Sequence, residues 1–262
     1  MPPQSRYMNW YAPTDLAGGN EGWIMKHWLI GLLLCSTPAI ALAAPAGNAV
    51  DTALVIAVDV SLSVDAGRYA LQRDGTAAAI ASPDFARAVA GGPNGAVAVT
   101  VMEFSDPDRQ IPVVPWTRVA SAADAQALAA RLRRVHRSSS GLTGIANALL
   151  TADDLFDEAP WTATRRVVDV SGDGMSNIGP PIDEVRDKLV ADGITINGLP
   201  ILTEEPWLET YYTLYLIGGP GAFVIVAQDL DSFADAMRRK LVAEVTVAAN
   251  SLSAPLGRRG PG

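Results

Sequence analysis

The chain has 262 residues, 49% of them hydrophobic and 18% charged, with 20 basic and 28 acidic side chains and a formal charge of −8. It is too apolar for a disordered chain and too short for more than one large domain or two small ones. With a pI near 4.7 and no extended basic patch, nucleic acid is excluded as a partner, since binding phosphates takes clustered Lys and Arg.

The first feature along the chain is a targeting signal. Met25-Lys26-His27 is a short basic stretch, followed by the apolar run of residues 28–34 and by small residues ending in Ala41-Leu42-Ala43. This is the pattern of a secretory signal peptide over residues 25–43, cut after Ala43. Residues 1–24 mix Pro, Gly and charge without periodicity and read as an N-terminal extension ahead of a start at Met25. The apolar run is about 15 residues, short of the ~20 needed to span a bilayer, so no stable membrane span is expected after cleavage. Cys35, the only cysteine, lies in the removed segment. A periplasmic or secreted product would therefore rest on its core, without disulfides or thiolate chemistry.

After a linker over residues 44–50, the folded region reads as strands alternating with helices. Residues 52–58 (T-A-L-V-I-A-V) form a β-branched apolar run, the mark of a strand buried on both faces. Helix is expected over 66–80, a second strand over 96–104, and a short third strand over 110–116, whose Pro112 and Pro115 suit a sheet edge. Ser121-x-x-Asp124 forms a capping box ahead of Ala125, Leu128, Leu132 and Val135, which share one helical face. Then come helix 144–156, strand 166–170, helix 182–191 with Gly193 closing it, and strand 194–201. Helix over 207–216, strand over 222–228 and helix over 231–245, acidic at its start and basic at its end, complete the pattern. Residues 248–262, rich in Gly, Pro and Arg, read as a flexible tail. Such alternation builds a mostly parallel sheet covered on both faces, with ligands bound beyond the carboxyl ends of its strands.

Three groups fall at those ends. Asp59-Val60-Ser61-Leu62-Ser63 follows the first strand, and residues two apart in an extended segment point the same way, so one carboxylate and two hydroxyls converge. Gly141-Leu142-Thr143-Gly144 introduces a helix, where Thr143 would also serve as an ordinary N-cap. Asp169-Val170-Ser171-Gly172-Asp173-Gly174 ends a central strand in a turn that needs no ligand to explain it.

Taken together, D-x-S-x-S, G-x-T and the Asp-Gly turn resemble the metal-ion-dependent adhesion site of von Willebrand factor type A (VWA, integrin I-like) domains. Val97 to Asp106, Gly141-Leu142-Thr143 with Ala148-Leu149, and Gly172 to Asn177 agree with that resemblance, which covers residues 51–247. Within the fold the chain is most similar to a secreted bacterial family of unknown function marked by D-V-S-G-D-G (Asp169 to Gly174), G-I-T-I-N-G-L-P (Gly193 to Pro200) and I-G-G-P-G-A-F (Ile217 to Phe223). The resemblance implies a Rossmann-like three-layer α/β/α fold, with a mostly parallel central sheet and one antiparallel edge strand.

It also implies a metal site made by Asp59, Ser61, Ser63, Thr143 and Asp173. Gly172 stands where the wider fold has Thr, removing one hydroxyl, and Asp106 and Asp169 add carboxylates nearby. Five oxygen donors, two of them anionic, suit a hard cation, Mg²⁺ or Mn²⁺. Neutral hydroxyls leave the ion able to accept one more carboxylate, and in this fold that ligand is an Asp or Glu of a partner protein. The implied function is a non-catalytic binding module; the alternatives are a Mg²⁺-assisted hydrolase at the same site and a metal-free scaffold. The enzyme reading is the weaker, because no nucleophile elbow or phosphate loop is present. His136, among Arg133, Arg134 and Arg137, reads as a surface residue, and Ile217 to Phe223 as a tight turn.

Overall fold

The computed structural model describes residues 47–203 and 205–253. The expected extension, signal peptide and final nine residues lie outside them. Five strands form one sheet, and each ladder follows from the local sequence. β1 (Ala49–Asp59) and β2 (Val97–Phe104) are mostly apolar and buried at every position but Ala49, as strands covered on both faces must be. β3 (Gln110–Val119), β4 (Thr162–Gly172) and β5 (Ile194–Pro200) complete the order β3-β2-β1-β4-β5. β1 pairs in parallel with β2 and β4, and β4 with β5, while β3 runs antiparallel to β2 at the edge. β3 is longer than its prolines suggest; Pro112 sits beside a register shift in the ladder, where a missing N–H is tolerated.

Helices cover both faces. α1 (Ala66–Ile80) starts at Asp65, whose carboxylate accepts the Arg68 N–H at 2.8 Å. α2 (Pro83–Ala90), which the sequence reading did not include, has Ser82 as N-cap and Pro in its first turn. α3 (Ala122–Leu132) is capped by Ser121 accepting from Asp124 N, as the capping box requires. α4 (Ile145–Asp157), α5 (Ile182–Ala191) and α6 (Leu208–Tyr211) follow, and α6 passes directly into a π-helical turn, Tyr212–Leu216. α7 (Phe233–Ser253) starts later and runs further than its apolar spacing suggests.

Alternate residues of β1 divide the core. Leu54, Ile56 and Val58 pack with residues of α1, α2, α3 and α7; Ala53, Val55 and Ala57 pack with α4, α5 and Tyr212. Fully burying one such Leu or Ile is worth about 1.5–3 kcal/mol. The two rows therefore hold the helix layers against the sheet and make the molecule three layers thick.

The expected strand over 222–228 is not formed. Its backbone touches β5 only at the isolated bridges Gly198–Val224 and Ile201–Ala227. The preceding turn brings the chain in through Gly219 (φ 90°) and Gly221 (φ 72°), with Ala222 N bonded back to Gly219 O at 3.2 Å. A Cβ on Gly219 would stand 2.7 Å from Ile194 O, so the close approach to β5 that shapes this turn needs glycine.

Candidate metal centre

The order β3-β2-β1-β4-β5 places the topological switch between β1 and β4, the position where open α/β sheets leave a crevice. Both strands deliver a carboxylate there. Asp59 is the last residue of β1, and Asp173 follows the last residue of β4. Four of the five expected residues form a continuous chain of contacts. Asp59 Oδ1 accepts the Ser61 N–H at 2.8 Å, the Ser61 and Ser63 hydroxyls are 3.1 Å apart, and Ser63 Oγ donates to Asp173 Oδ1 at 2.6 Å.

Thr143 arrives from a third loop. Its N–H donates to Asn177 Oδ1 at 2.8 Å and its carbonyl accepts from Asn177 N at 3.0 Å, which ties it to the turn carrying Asp173. Its hydroxyl lies 4.0 Å from where a Cβ on Gly174 would stand. Thr143 is not the N-cap of α4: that position is Gly144, with no side-chain cap bond. The hydroxyl is thus not committed to the helix. Asp59, Ser61, Thr143 and Asp173 are buried, and Ser63 stands at the exposed mouth.

The two further carboxylates have other partners. Asp106 Oδ1 accepts the Leu142 N–H at 2.8 Å and so shapes the loop that presents Thr143. Asp169 turns away toward α7, where Lys240 meets it.

Asp59 is the electrostatic centre of the cluster. Its Oδ2 is buried with no hydrogen-bond donor. Burial raises its pKa from 3.8 to about 7, with the Ser61 N–H opposing the rise and Asp173 adding to it. A carboxylate with an orphaned buried oxygen is short of positive charge. Two arginines reach the loops, but neither hydrogen-bonds Asp59, and the Arg137 charge offsets only part of the rise. Arg137 donates to the carbonyls of Val60 and Ser61 at 2.6 and 2.8 Å and holds the loop's shape. Arg68 Nη1 lies 3.3 Å from Asp173 Oδ2. Among the described residues no three His, Cys, Asp or Glu cluster as metal ligands. A cation bound here would be held by two carboxylates, hydroxyls and water, the donor set that hard ions take.

Gly172 has a steric reason. A Cβ at this position would stand 2.9 Å from Asp59 Oδ2 and 3.0 Å from the Tyr212 hydroxyl. Tyr212 is fully buried, its hydroxyl has no acceptor, and burial followed by Asp59 pushes its pKa well above the ordinary value. A phenol thus stands beside the place where the wider fold has a threonine. The π-helical turn that begins at Tyr212 sets its direction, in keeping with the frequency of such turns at functional sites. Sequence periodicity reads 207–216 as one helix and contains no signal for that turn.

The rim outside the cluster is apolar. Leu62 (72% exposed), Leu142 and Met175 each lie one or two residues from a candidate ligand. Beside them a groove of about 460 Å³ is lined by Ser176, Asn177, Pro180, Tyr211 and Tyr215.

The sequence profile of a family described as a protein of unknown function, DUF1194, matches residues 49–249. The chain belongs to DUF1194. No curated protein matches this DUF1194 member by sequence. Solved structures do match its fold. Proximal thread matrix protein 1 from the mussel byssus, with a zinc-occupied MIDAS motif, superposes with a TM-score of 0.54 at 19% identity over 77% of this chain and 47% of its own. A von Willebrand factor type A structure from Catenulispora acidiphila gives 0.51 at 19% identity over 75% of this chain and 43% of its own. The vWF domain of the type V pili tip protein Mfa5 from Porphyromonas gingivalis gives 0.51 at 12% identity, covering 81% of this chain and 98% of its own. The DUF1194 chain spans less than half of the first two proteins. These likenesses establish a three-layer VWA fold for it. No helix among its described residues is long and apolar enough to cross a membrane.

Proposed function

We propose that this chain is an exported binding module that holds a divalent cation, Mg²⁺ or Mn²⁺, at the ends of β1 and β4 and uses it to engage an Asp or Glu carboxylate of a partner protein. Asp59, Ser61, Ser63, Thr143 and Asp173 are the ligands, directly or through water. The observation that carries the reading is the orphaned Asp59 Oδ2, buried near two hydroxyls, in a carboxyl that burial pushes up to about 7. A bound ion supplies a direct partner where Oδ2 has none. With hydroxyls as neutral ligands and the two carboxylates acting partly through bridging waters, the ion's charge is incompletely offset and it keeps affinity for a further carboxylate.

The neighbour with a zinc-occupied MIDAS motif supports a metal at this place in the fold. The apolar rim of Leu62, Leu142 and Met175 supports a macromolecular partner, because exposed apolar groups around a charged centre are what a docking surface offers. Export follows the signal peptide read over 25–43, with cleavage after Ala43. The site acts by binding and performs no catalysis.

One observation favours a metal-free scaffold instead: the Arg68 guanidinium already neutralises part of Asp173. Thermal melts separate the two readings. For a cofactor reading, millimolar Mg²⁺ or Mn²⁺ at pH 8 raises the melting temperature of the wild type, and Asp59→Ala shows no rise. At 100-fold excess over Kd the stabilisation is about 2.7 kcal/mol. Equal melts in metal and in chelator mean a scaffold.

A further inference from the structure

A second polar cluster lies buried between the sheet and α7, on the face opposite Tyr212. Val167 and Leu199 belong to the apolar layer under α7, and Asp169 and Asn197, two residues from them along β4 and β5, face the same way. Asp169 and Asn197 are paired in the ladder. α7 lowers Lys240 and, one turn on, Glu244 into this layer. Lys240 is 1% exposed, Asp169 2%, and Asn197 and Glu244 0%.

The contacts are direct. Lys240 Nζ touches Asp169 Oδ1 and lies 3.8 Å from Glu244 Oε1. Asn197 Nδ2 donates to Glu244 Oε1, and Asn197 Oδ1 accepts the Phe223 N–H at 2.8 Å. The Phe223 ring covers the ammonium, its centroid 5.4 Å from Nζ. Arg165 stands at the edge, bonded to the Glu244 carbonyl at 3.0 Å and 4.0 Å from its carboxylate. Each of the three stretches that mark the family therefore places one residue here: Asp169, Asn197 and Phe223. The adhesion-type site uses none of the three.

A lone buried ion pair is a poor source of stability, since desolvation offsets most of its attraction. Here the arrangement has a chemical use. An amine and a carboxyl group are in contact, water is excluded by an aromatic ring, and a third group stands against both. We propose that Lys240 and Asp169 are joined by an amide bond between Nζ and Cγ, formed with loss of one water and with Glu244 as the proton-transfer group.

The step balances without any co-reactant. A proton passes from Nζ to the Asp169 carboxylate, leaving a neutral amine and a neutral carboxyl. The amine attacks Cγ, and Glu244 takes the second amine proton while giving its own to the departing hydroxyl. The Nζ–Cγ bond forms, one Cγ–O bond breaks, water leaves, and Glu244 ends as it began. Nothing is oxidised or reduced. Contact between the two groups replaces a bimolecular encounter, and such positioning is worth effective molarities of about 10⁵–10⁸ M.

Glu244 suits its part. Burial, then Asp169, raises its pKa to about 8, so it holds a proton at neutral pH. That proton also supplies a donor for Asp169 Oδ2 and Glu244 Oε2, the two buried carboxyl oxygens of the cluster with no hydrogen bond. Asn197, the other candidate acyl group, is bonded to Glu244 and Phe223.

Mass spectrometry of the purified, denatured full chain tests this without any ligand. With the N-terminus determined, the wild type is expected one water lighter than its sequence. Its tryptic digest is expected to yield 167–186 joined to 240–258, with no cleavage after the acylated Lys240. Lys240→Arg, and Glu244→Gln where it folds, are expected at full mass. Separate peptides with cleavage after Lys240 in the wild type overturn the proposal. So does loss of ammonia at Asn197, or a water loss confined to the Asp173-Gly174 turn, where an imide would form. The wild-type digest decides alone if the variants fail to fold.

Discussion

Asp59→Asn is expected to stabilise the metal-free protein above neutral pH, although it removes a proposed ligand. Asp59 is fully buried and its pKa is raised from 3.8 to about 7. The folded state therefore keeps a proton that the unfolded state has released throughout that window. Stability falls as pH rises from about 4 to about 7, and the full cost is present above 7. A shift of this size corresponds to about 4 kcal/mol. Asparagine carries no charge and retains an oxygen for the Ser61 N–H, but its amide N–H₂ replaces an orphaned oxygen, at a cost of about 1–3 kcal/mol. The net gain at pH 8 is about 1–3 kcal/mol, or roughly 2–4 °C of melting temperature per kcal/mol. At pH 4 the gain disappears and only the cost remains. Melts of wild type and Asp59→Asn in chelator at pH 4 and pH 8 measure both. A variant destabilised equally at both values would refute the reasoning, since the buried charge would then not be the source of strain.

Three further outcomes follow from the geometry. Gly172→Thr places atoms against Asp59 and the Tyr212 hydroxyl; overpacking should cost about 1–3 kcal/mol in urea denaturation, and Tyr212→Phe in the same chain should recover part of it. Arg68→Ala frees Asp173 Oδ2 from a competing cation and should tighten Mn²⁺ binding, by about fivefold if this part-buried pair contributes about 1 kcal/mol. Gly75→Ala should destabilise despite its gain of about 1 kcal/mol in helix propensity, because the new methyl meets the Phe233 ring at 2.8 Å and the Ala234 backbone at 3.3 Å where α1 crosses α7; chemical denaturation reads the sign.

The layers of this fold are legible wherever burial imposes a local pattern. Residues 52–58 read as a doubly buried strand because every side chain meets a helix layer. The Ser121–Asp124 box marks α3 because capping is local chemistry. α2 escapes because eight residues give little more than two turns of periodicity, although Ser82-Pro83 is a start signal in its own right. Residues 222–228 have strand composition, yet pairing is decided by how the glycine turn delivers the backbone to β5, which composition does not encode.

At the strand ends Asp59, Ser61 and Ser63 do converge, but not through the extended alternation expected of them: β1 stops at Asp59 and a turn, closed by Val64 N–H to Ser61 O at 3.0 Å, brings the two hydroxyls together. The partner loops are different. That Asn177 ties down Thr143, that Tyr212 crowds Gly172, and that Arg68 reaches Asp173 are long-range facts set by chain crossing. Lys240 and Glu244 are the clearest case. In sequence they look like the charged face of a terminal helix, and only the register of α7 against β4 and β5 puts them in the core.

A Mn²⁺ titration at pH 8, followed by the loss of the free-ion paramagnetic resonance signal, addresses the metal centre most directly. One ion bound per chain in the wild type is expected, with binding weakened as pH falls through about 7, where the Asp59 carboxyl takes up its proton, and abolished in Asp59→Ala. Mn²⁺ that stays free beside the wild type, or binds equally well to Asp59→Ala, would contradict a cation site at the ends of β1 and β4.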